Sequence, residues 1–291
     1  MYEKKEAMFY EKLDMGGVHC YLCPQQCYIP KGSRGLCGVR QNIDGILYSL
    51  NYGEISSIGI DPIEKKPLNR FHPSTYILSV GSVGCNLKCP FCQNHSIAQV
   101  KPEEIPTHHA ESDEIVAKAV ELKKQSNIGI AYTYNEPSIW YEFVYETAKK
   151  AKEEGLLNVL VTNGYISEEP LNQLLPYIDA MNIDLKAYND KFYTELVKGN
   201  LKEVKETIKR CARHCHVEVT TLIIPGWNDS IDEMEEMTQW LASLSPEIPL
   251  HLSRYFPKYK MTDRPPTSLD SLVELKKVAE RHLRYVYLGN I

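Results

Sequence analysis

The chain has 291 residues, 43% of them hydrophobic and 24% charged, a composition that belongs to a folded globular protein and argues against disorder throughout. Its 33 basic residues stand against 38 acidic ones, a net charge of −5, so no global positive field favours a polyanion and general nucleic-acid binding is not expected. No window approaches the roughly 18 uninterrupted apolar residues of a membrane span, and the opening MYEKKEAMFYEKLDMG has no apolar centre of a signal peptide, so no membrane association is expected and the cytoplasm is the expected compartment.

In chain order, residues 1–73 read as an N-terminal module, with the cysteine-rich HCYLCPQQCYIPKGSRGLCG followed by the short strand-like pieces GILYSLNYG and EISSIGIDPI. Seven of the nine cysteines fall between residues 20 and 92. An odd, crowded set of this kind fits reduced, metal-binding thiolates better than a secreted disulfide framework. Cys20, Cys23, Cys27 and Cys37 follow C-x2-C-x3-C-x9-C, which can close a tetrahedral zinc site or ligate an auxiliary iron–sulfur cluster. Spacing does not choose between these, and one or two structural thiols without metal is the plainer reading.

From residue 74 onward, short apolar runs alternate with helical segments. TYILSVG, IGIAYTY, NVLVTNG, IDAMNIDLK, HVEVTTLIIPG and IPLHLSRY read as strands. Between and after them, DEIVAKAVELKKQ, SIWYEFVYETAKKAKEEG, EEPLNQLLPY, a stretch ending at His214, SIDEMEEMTQWLASL and LDSLVELKKVAERH read as helices, with YVYLG as a last strand. Six such repeats over residues 74–291 predict an α/β fold, a partial (β/α)6 TIM-like barrel, with an open doubly wound sheet as the alternative. In either architecture, ligands bind where the strands end.

Directly after the first barrel strand comes GSVGCNLKCPFCQNHS, in which Cys85, Cys89 and Cys92 make a C-x3-C-x2-C loop. With nine cysteines in 291 positions, chance supplies about 0.01 instances of this spacing. Three thiolates can bind three irons of a [4Fe–4S] cube and leave the fourth iron open to a small molecule; zinc is the rival reading. The second strand ends in Asn135-Glu136-Pro137, by itself an ordinary helix start. The third ends in Thr162-Asn163-Gly164 and the fourth in Asp184-Leu185-Lys186, which offer hydrogen bonds and opposite charges. Cys211 and Cys215 lie one helical turn apart and read as packing residues, DEMEE as a solvated helix face, and His108 and His109 receive no role.

The cysteine loop resembles the cluster loop of the radical S-adenosylmethionine enzymes. That resemblance implies a radical SAM-type barrel with a [4Fe–4S] cluster on Cys85, Cys89 and Cys92, S-adenosylmethionine as the partner of its open iron, and Phe91 as the residue whose backbone meets adenine. Asn135-Glu136-Pro137 resembles the Gly-Gly-Glu-Pro segment that binds the methionine amino group, with Tyr134 and Asn135 where glycines are usual. VTNGY, NIDLK and TTLIIPGW resemble segments of the pyruvate formate-lyase-activating enzymes, and HLSRYFP places His251 at their late cofactor-contacting histidine. Thr162, Asn163, Asp184, Lys186 and His251 are thereby implied as cofactor contacts. The N-terminal module resembles that of the radical enzyme of the AmmeMemoRadiSam system, a narrower match over nearly the whole chain. Together these imply an oxygen-sensitive enzyme that forms a 5′-deoxyadenosyl radical, needs an electron donor such as flavodoxin or ferredoxin, and works with other proteins of that system. Its substrate is a small molecule or, by likeness to activating enzymes, a glycyl residue of a partner protein; a non-catalytic zinc-binding interaction protein is the reading from another class.

Overall fold

The computed structural model describes residues 5–291. Its main sheet carries seven parallel strands: β1 (Tyr76–Gly81), β2 (Asn127–Tyr132), β3 (Leu157–Thr162), β4 (Ala180–Asp184), β5 (His216–Ile223), β6 (Leu250–Arg254) and β7 (Val286–Gly289). They stand side by side in chain order, and β7 does not return to pair with the first edge, so the barrel is partial. Each run expected as a strand forms one because its apolar residues are shared between a barrel interior and a covering helix layer.

The helices follow from their stripes. α1 (Ser112–Glu121) buries Ile115, Val116 and Ala119, and its first turn is closed by a reciprocal capping box between Glu111 and Glu114. α2 (Tyr141–Glu153) packs beside it. α3 (Glu168–Leu174) precedes α4 (Leu201–Cys211), which buries Leu201, Val204, Ile208 and Cys211 and is capped by Asn200 accepting from the Lys202 N–H. Cys211 is thus the last member of an apolar stripe, fully buried, as its packing reading anticipated. In α5 (Ile231–Leu244) the acidic stretch is only partly a solvated face. Glu233 accepts from the backbone N–H of Tyr188 and the amide of Asn189, and Glu235 pairs with His282. α6 (Leu269–Ala279) closes the layer against α5.

The N-terminal residues do not all form one body. Ser57–Pro62, expected within the N-terminal module, runs antiparallel along β1 and forms the first edge of the main sheet. Pairing partners are fixed by where the chain turns in space, which the apolar pattern of EISSIGIDPI does not encode. After that edge strand the chain crosses beneath the barrel, where Ile63 and Leu68 pack with Ile77, Ala131, Val159 and Ala180 and plug the lower end. The plug is tied by Glu218 of β5, whose carboxylate accepts from the backbone N–H of Asn69 at 3.0 Å and of Arg70 at 2.7 Å. His216 and His251 flank the same carboxylate at 3.0 and 2.6 Å.

Burial alone would raise the Glu218 pKa, but these donors outweigh it and hold the group at about 2. Its ordinary value is 4.5, so the knot contributes stability that is complete above that value and is lost as pH falls toward 2. A depression of this size corresponds to about 3 kcal/mol. Glu218→Gln is expected to lower the unfolding free energy at neutral pH by an amount of that order, and the gap between wild type and variant is expected to shrink as denaturant titrations move from pH 5 to pH 2. A constant gap would show that the charge of Glu218 is not what ties the plug.

The remaining N-terminal residues form two small antiparallel sheets, and Glu54–Ile55 pairs antiparallel with His108–His109. Among the described residues, no helix is long and apolar enough to cross a membrane.

Candidate functional site

All six strand ends from β1 to β6 open into one cavity of about 270 Å³. The loop after β1 supplies Cys85, Cys89 and Cys92, which line this cavity together with Phe91, Asn135, Glu136, Thr162, Asn163, Asp184 and Lys186. Ten of the residues singled out in the sequence for this site therefore converge, from four strand ends that are distant in the chain. Among the described residues, no fourth cysteine lines the cavity, which suits three-iron ligation with one position open.

The thiols are presented by tight backbone. The Leu87 N–H, two residues after its cysteine, donates to Cys85 Sγ at 3.4 Å. Burial pushes the Cys85 thiol well above the ordinary range, with the Glu136 carboxylate adding to it. Burial also pushes Cys89 up to about 11, although the Lys186 ammonium pulls the other way. The free thiols thus keep their protons, and metal loading must displace them. Gly84, beside Cys85, has φ +90°, and a Cβ there would stand 2.8 Å from the Cys37 carbonyl and 2.7 Å from Val39. Only glycine lets the cysteine loop lie this close to the N-terminal module.

Glu136 is 3% exposed and accepts three hydrogen bonds. Its Oε1 takes the Ser138 N–H at 3.0 Å and the Thr162 hydroxyl at 2.7 Å, and its Oε2 takes the Asn163 N–H at 2.8 Å. A carboxylate offers about four lone-pair positions, so one on Oε2 is left for a ligand. Burial raises the Glu136 pKa and these donors oppose it. Across the cavity, Lys186 Nζ lies 2.8 Å from Asp184 Oδ2. Burial works against the Lys186 ammonium, but the Asp184 carboxylate outweighs it and holds its pKa above the ordinary lysine value.

Several expected contacts hold the scaffold instead. The Asn135 amide accepts from the Ser82 N–H at 2.9 Å and donates to the Gly84 carbonyl at 3.1 Å, so it pins the start of the cysteine loop. Asn163 Nδ2 donates to Asn86 Oδ1 at 2.9 Å and to Cys85 Sγ at 3.6 Å, and its Oδ1 accepts from the Tyr165 N–H. Tyr134 has φ +70°, the left-handed conformation for which the related segments use glycine, and its carbonyl accepts from Asn94. Phe91 is buried and packs on Phe192 as well as lining the cavity.

His251 does not line the cavity. It shares the inward face of β6 with Ser253, which does, but sits one inward position deeper and is held by Glu218. Alternation along a strand is the physical reason: the matched position points inward, yet the layer beneath the floor belongs to the plug. Sequence reasoning also missed lining residues. Thr220, Leu222 and Ser253 could have been found by extending the alternation of β5 and β6 upward, whereas Asn94 and Gln99 follow no pattern.

The four N-terminal cysteines gather at a separate, far smaller cavity of about 10 Å³, next to the cysteine loop. Asn86 lines it, and Gln25 donates to the Asn86 carbonyl at 2.9 Å. His109 lies between Glu54 and Glu111 at the strand pair His108–His109 with Glu54–Ile55, away from both cavities. Among the described residues, no three His, Cys, Asp or Glu side chains are drawn together closely enough to hold a single metal ion.

Residues 79–241 match the family model of the Radical SAM superfamily. An uncharacterized protein of Methanocaldococcus jannaschii is 47% identical over 290 residues, 99% of this chain and 85% of that protein. The pyruvate formate-lyase 1-activating enzyme of Escherichia coli is 22% identical over 213 residues, 68% of this chain and 86% of its own. A radical SAM methyltransferase from Sphaerobacter thermophilus superposes with a TM-score of 0.57 at 18% identity, over 75% of this chain and 67% of that one, a likeness of fold.

Proposed function

The chain belongs to the Radical SAM superfamily, and on that premise we propose that it reductively cleaves S-adenosylmethionine to methionine and a 5′-deoxyadenosyl radical, which abstracts hydrogen from a substrate. The observation that carries this reading is the convergence of the three loop cysteines with Glu136, Thr162, Asn163, Asp184 and Lys186 on one cavity. When bound, a [4Fe–4S] cluster on Cys85, Cys89 and Cys92 supplies the electron through its open iron.

The chain's own residues do the holding. The remaining acceptor position on Glu136 suits an ammonium group, a charge-assisted hydrogen bond in a water-poor site. Thr162 and the Asn163 N–H fix that carboxylate's direction. The Lys186 ammonium faces Cys89 and offers its charge to a carboxylate of the same zwitterion. Asn135 and Asn94 hold the cysteine loop against the β2 end, so that the two sides of the cavity keep their spacing.

The test is 5′-deoxyadenosine formation by anaerobically reconstituted, chemically reduced protein given S-adenosylmethionine. At least one equivalent per chain is expected. A folded, iron-loaded protein that makes none, with the reductant replaced by flavodoxin or ferredoxin as well, would overturn the reading. Similarity to the Escherichia coli activating enzyme favours, as substrate, a glycyl residue of a partner protein, and the N-terminal motif favours a partner from the AmmeMemoRadiSam system. Such a partner would acquire a protein radical visible by electron paramagnetic resonance when mixed with the reduced enzyme.

A further inference from the structure

The N-terminal thiols come from three places in the fold. Cys20 and Cys27 stand directly opposite each other across the antiparallel strands Val18–Cys20 and Cys27–Ile29, Cys23 lies in the turn between them, and Cys37 comes from the turn closed by the Gly38 N–H on the Gly35 carbonyl. All four line the same small cavity, and none is in a disulfide.

Burial raises all four thiols above the ordinary range, with the backbone amides of Leu22, Gln25, Leu36 and Val39 only partly opposing it.

Arg40 supplies the second observation. Its guanidinium is 1% exposed and lines the cavity. Nη2 forks onto both oxygens of Glu142 at 2.7 and 2.9 Å, and Nη1 donates to the Met8 carbonyl at 3.0 Å. Its Nε is buried with no partner. A buried N–H without an acceptor is costly, and structures rarely tolerate one unless something completes it. A metal-bound thiolate sulfur would accept that hydrogen bond.

We propose that Cys20, Cys23, Cys27 and Cys37 bind a single thiophilic divalent ion of the zinc class as thiolates, with Arg40 Nε donating to one of the bound sulfurs. The cavity, at about 10 Å³, has room for one water-sized centre, which suits a single ion. As free thiols the four sulfurs do not meet at one point, and the proposal requires their side chains to turn toward one another on loading. Binding releases the thiol protons, so each sulfur trades its hydrogen for a bond to the ion. The proposal is independent of the radical reading.

The test uses the full chain with Cys85, Cys89 and Cys92 replaced by alanine, so that the radical cluster cannot contribute metal. After loading with zinc under reducing, anaerobic conditions and desalting, one zinc per chain is expected, released by four equivalents of a mercurial. Cobalt in its place is expected to give the thiolate charge-transfer bands and strong visible bands of a tetrahedral site. Adding Cys20→Ser and Cys27→Ser should cut bound metal at least tenfold, with circular dichroism reporting whether the fold persists. Folded protein with less than a tenth of an ion per chain overturns the proposal. So does metal that persists without those two cysteines, or four irons and brown colour at the N-terminal site in place of zinc.

Discussion

Alanine at any one of Cys85, Cys89 or Cys92 is expected to lower 5′-deoxyadenosine formation on the order of 10³-fold or more, because loss of even an outer partner of a metal ligand typically costs 10–100-fold and the proposed function makes these three the ligands themselves. The three cannot replace one another, since each occupies its own position on a loop whose start is pinned by Asn135. Cys211→Ala is the control that separates chemistry from burial. It also removes a buried sulfur, from the apolar stripe of α4, and is expected to cost stability while leaving turnover per folded molecule unchanged. Equal losses of turnover in the two kinds of variant, with iron content intact, would mean that the loop cysteines are packing residues.

Glu136→Gln should weaken S-adenosylmethionine binding by about 1.5–3 kcal/mol, roughly 10- to 150-fold, the value of a hydrogen bond to a charged group. The substitution is nearly isosteric, but the site has no place for an amide NH2. In one orientation it would face the Asn163 N–H, and in the other the Ser138 N–H and Thr162 hydroxyl. Donor would meet donor either way. Equilibrium dialysis against labelled S-adenosylmethionine gives the affinity directly, and 5′-deoxyadenosine formation at saturating cofactor should recover part of the loss. An unchanged dissociation constant would remove Glu136 from the binding site.

The barrel was legible because each β-strand and its covering helix carry their own period, and because ligand chemistry collects at strand ends whatever the details of packing. The cavity set from Cys85 to Lys186 could be read because those residues stand at strand ends in segments that resemble the cofactor-binding segments of the radical S-adenosylmethionine enzymes. What the chain does not spell out is which side chain of a polar pair is free. Asn163 and Asn135 are the right residues in the right loops, yet their amides are engaged by Cys85, Asn86, Ser82 and Gly84. His251 falls on the inward face but one layer too deep, and its partner Glu218 reads in HVEVTT as an ordinary polar position of an alternating strand. Arg40 gave no signal, since an arginine in CGVRQN looks like surface charge until Glu142, 102 residues away, closes over it. The edge strand Ser57–Pro62 was recognisable as a strand, but pairing with β1 is long-range information.

Asn163 joins two parts of the cavity through a single residue. Its backbone N–H holds the Glu136 carboxylate and its side-chain amide holds the Cys85 sulfur. Thermodynamic reciprocity then applies: a ligand that draws charge toward Glu136 changes how well the same residue can serve the sulfur, and added negative charge at the sulfur changes, by an equal free energy, how firmly that ligand is held. A midpoint potential recorded with and without S-adenosylmethionine, and an affinity recorded on oxidised and reduced protein, are therefore two measurements of one quantity.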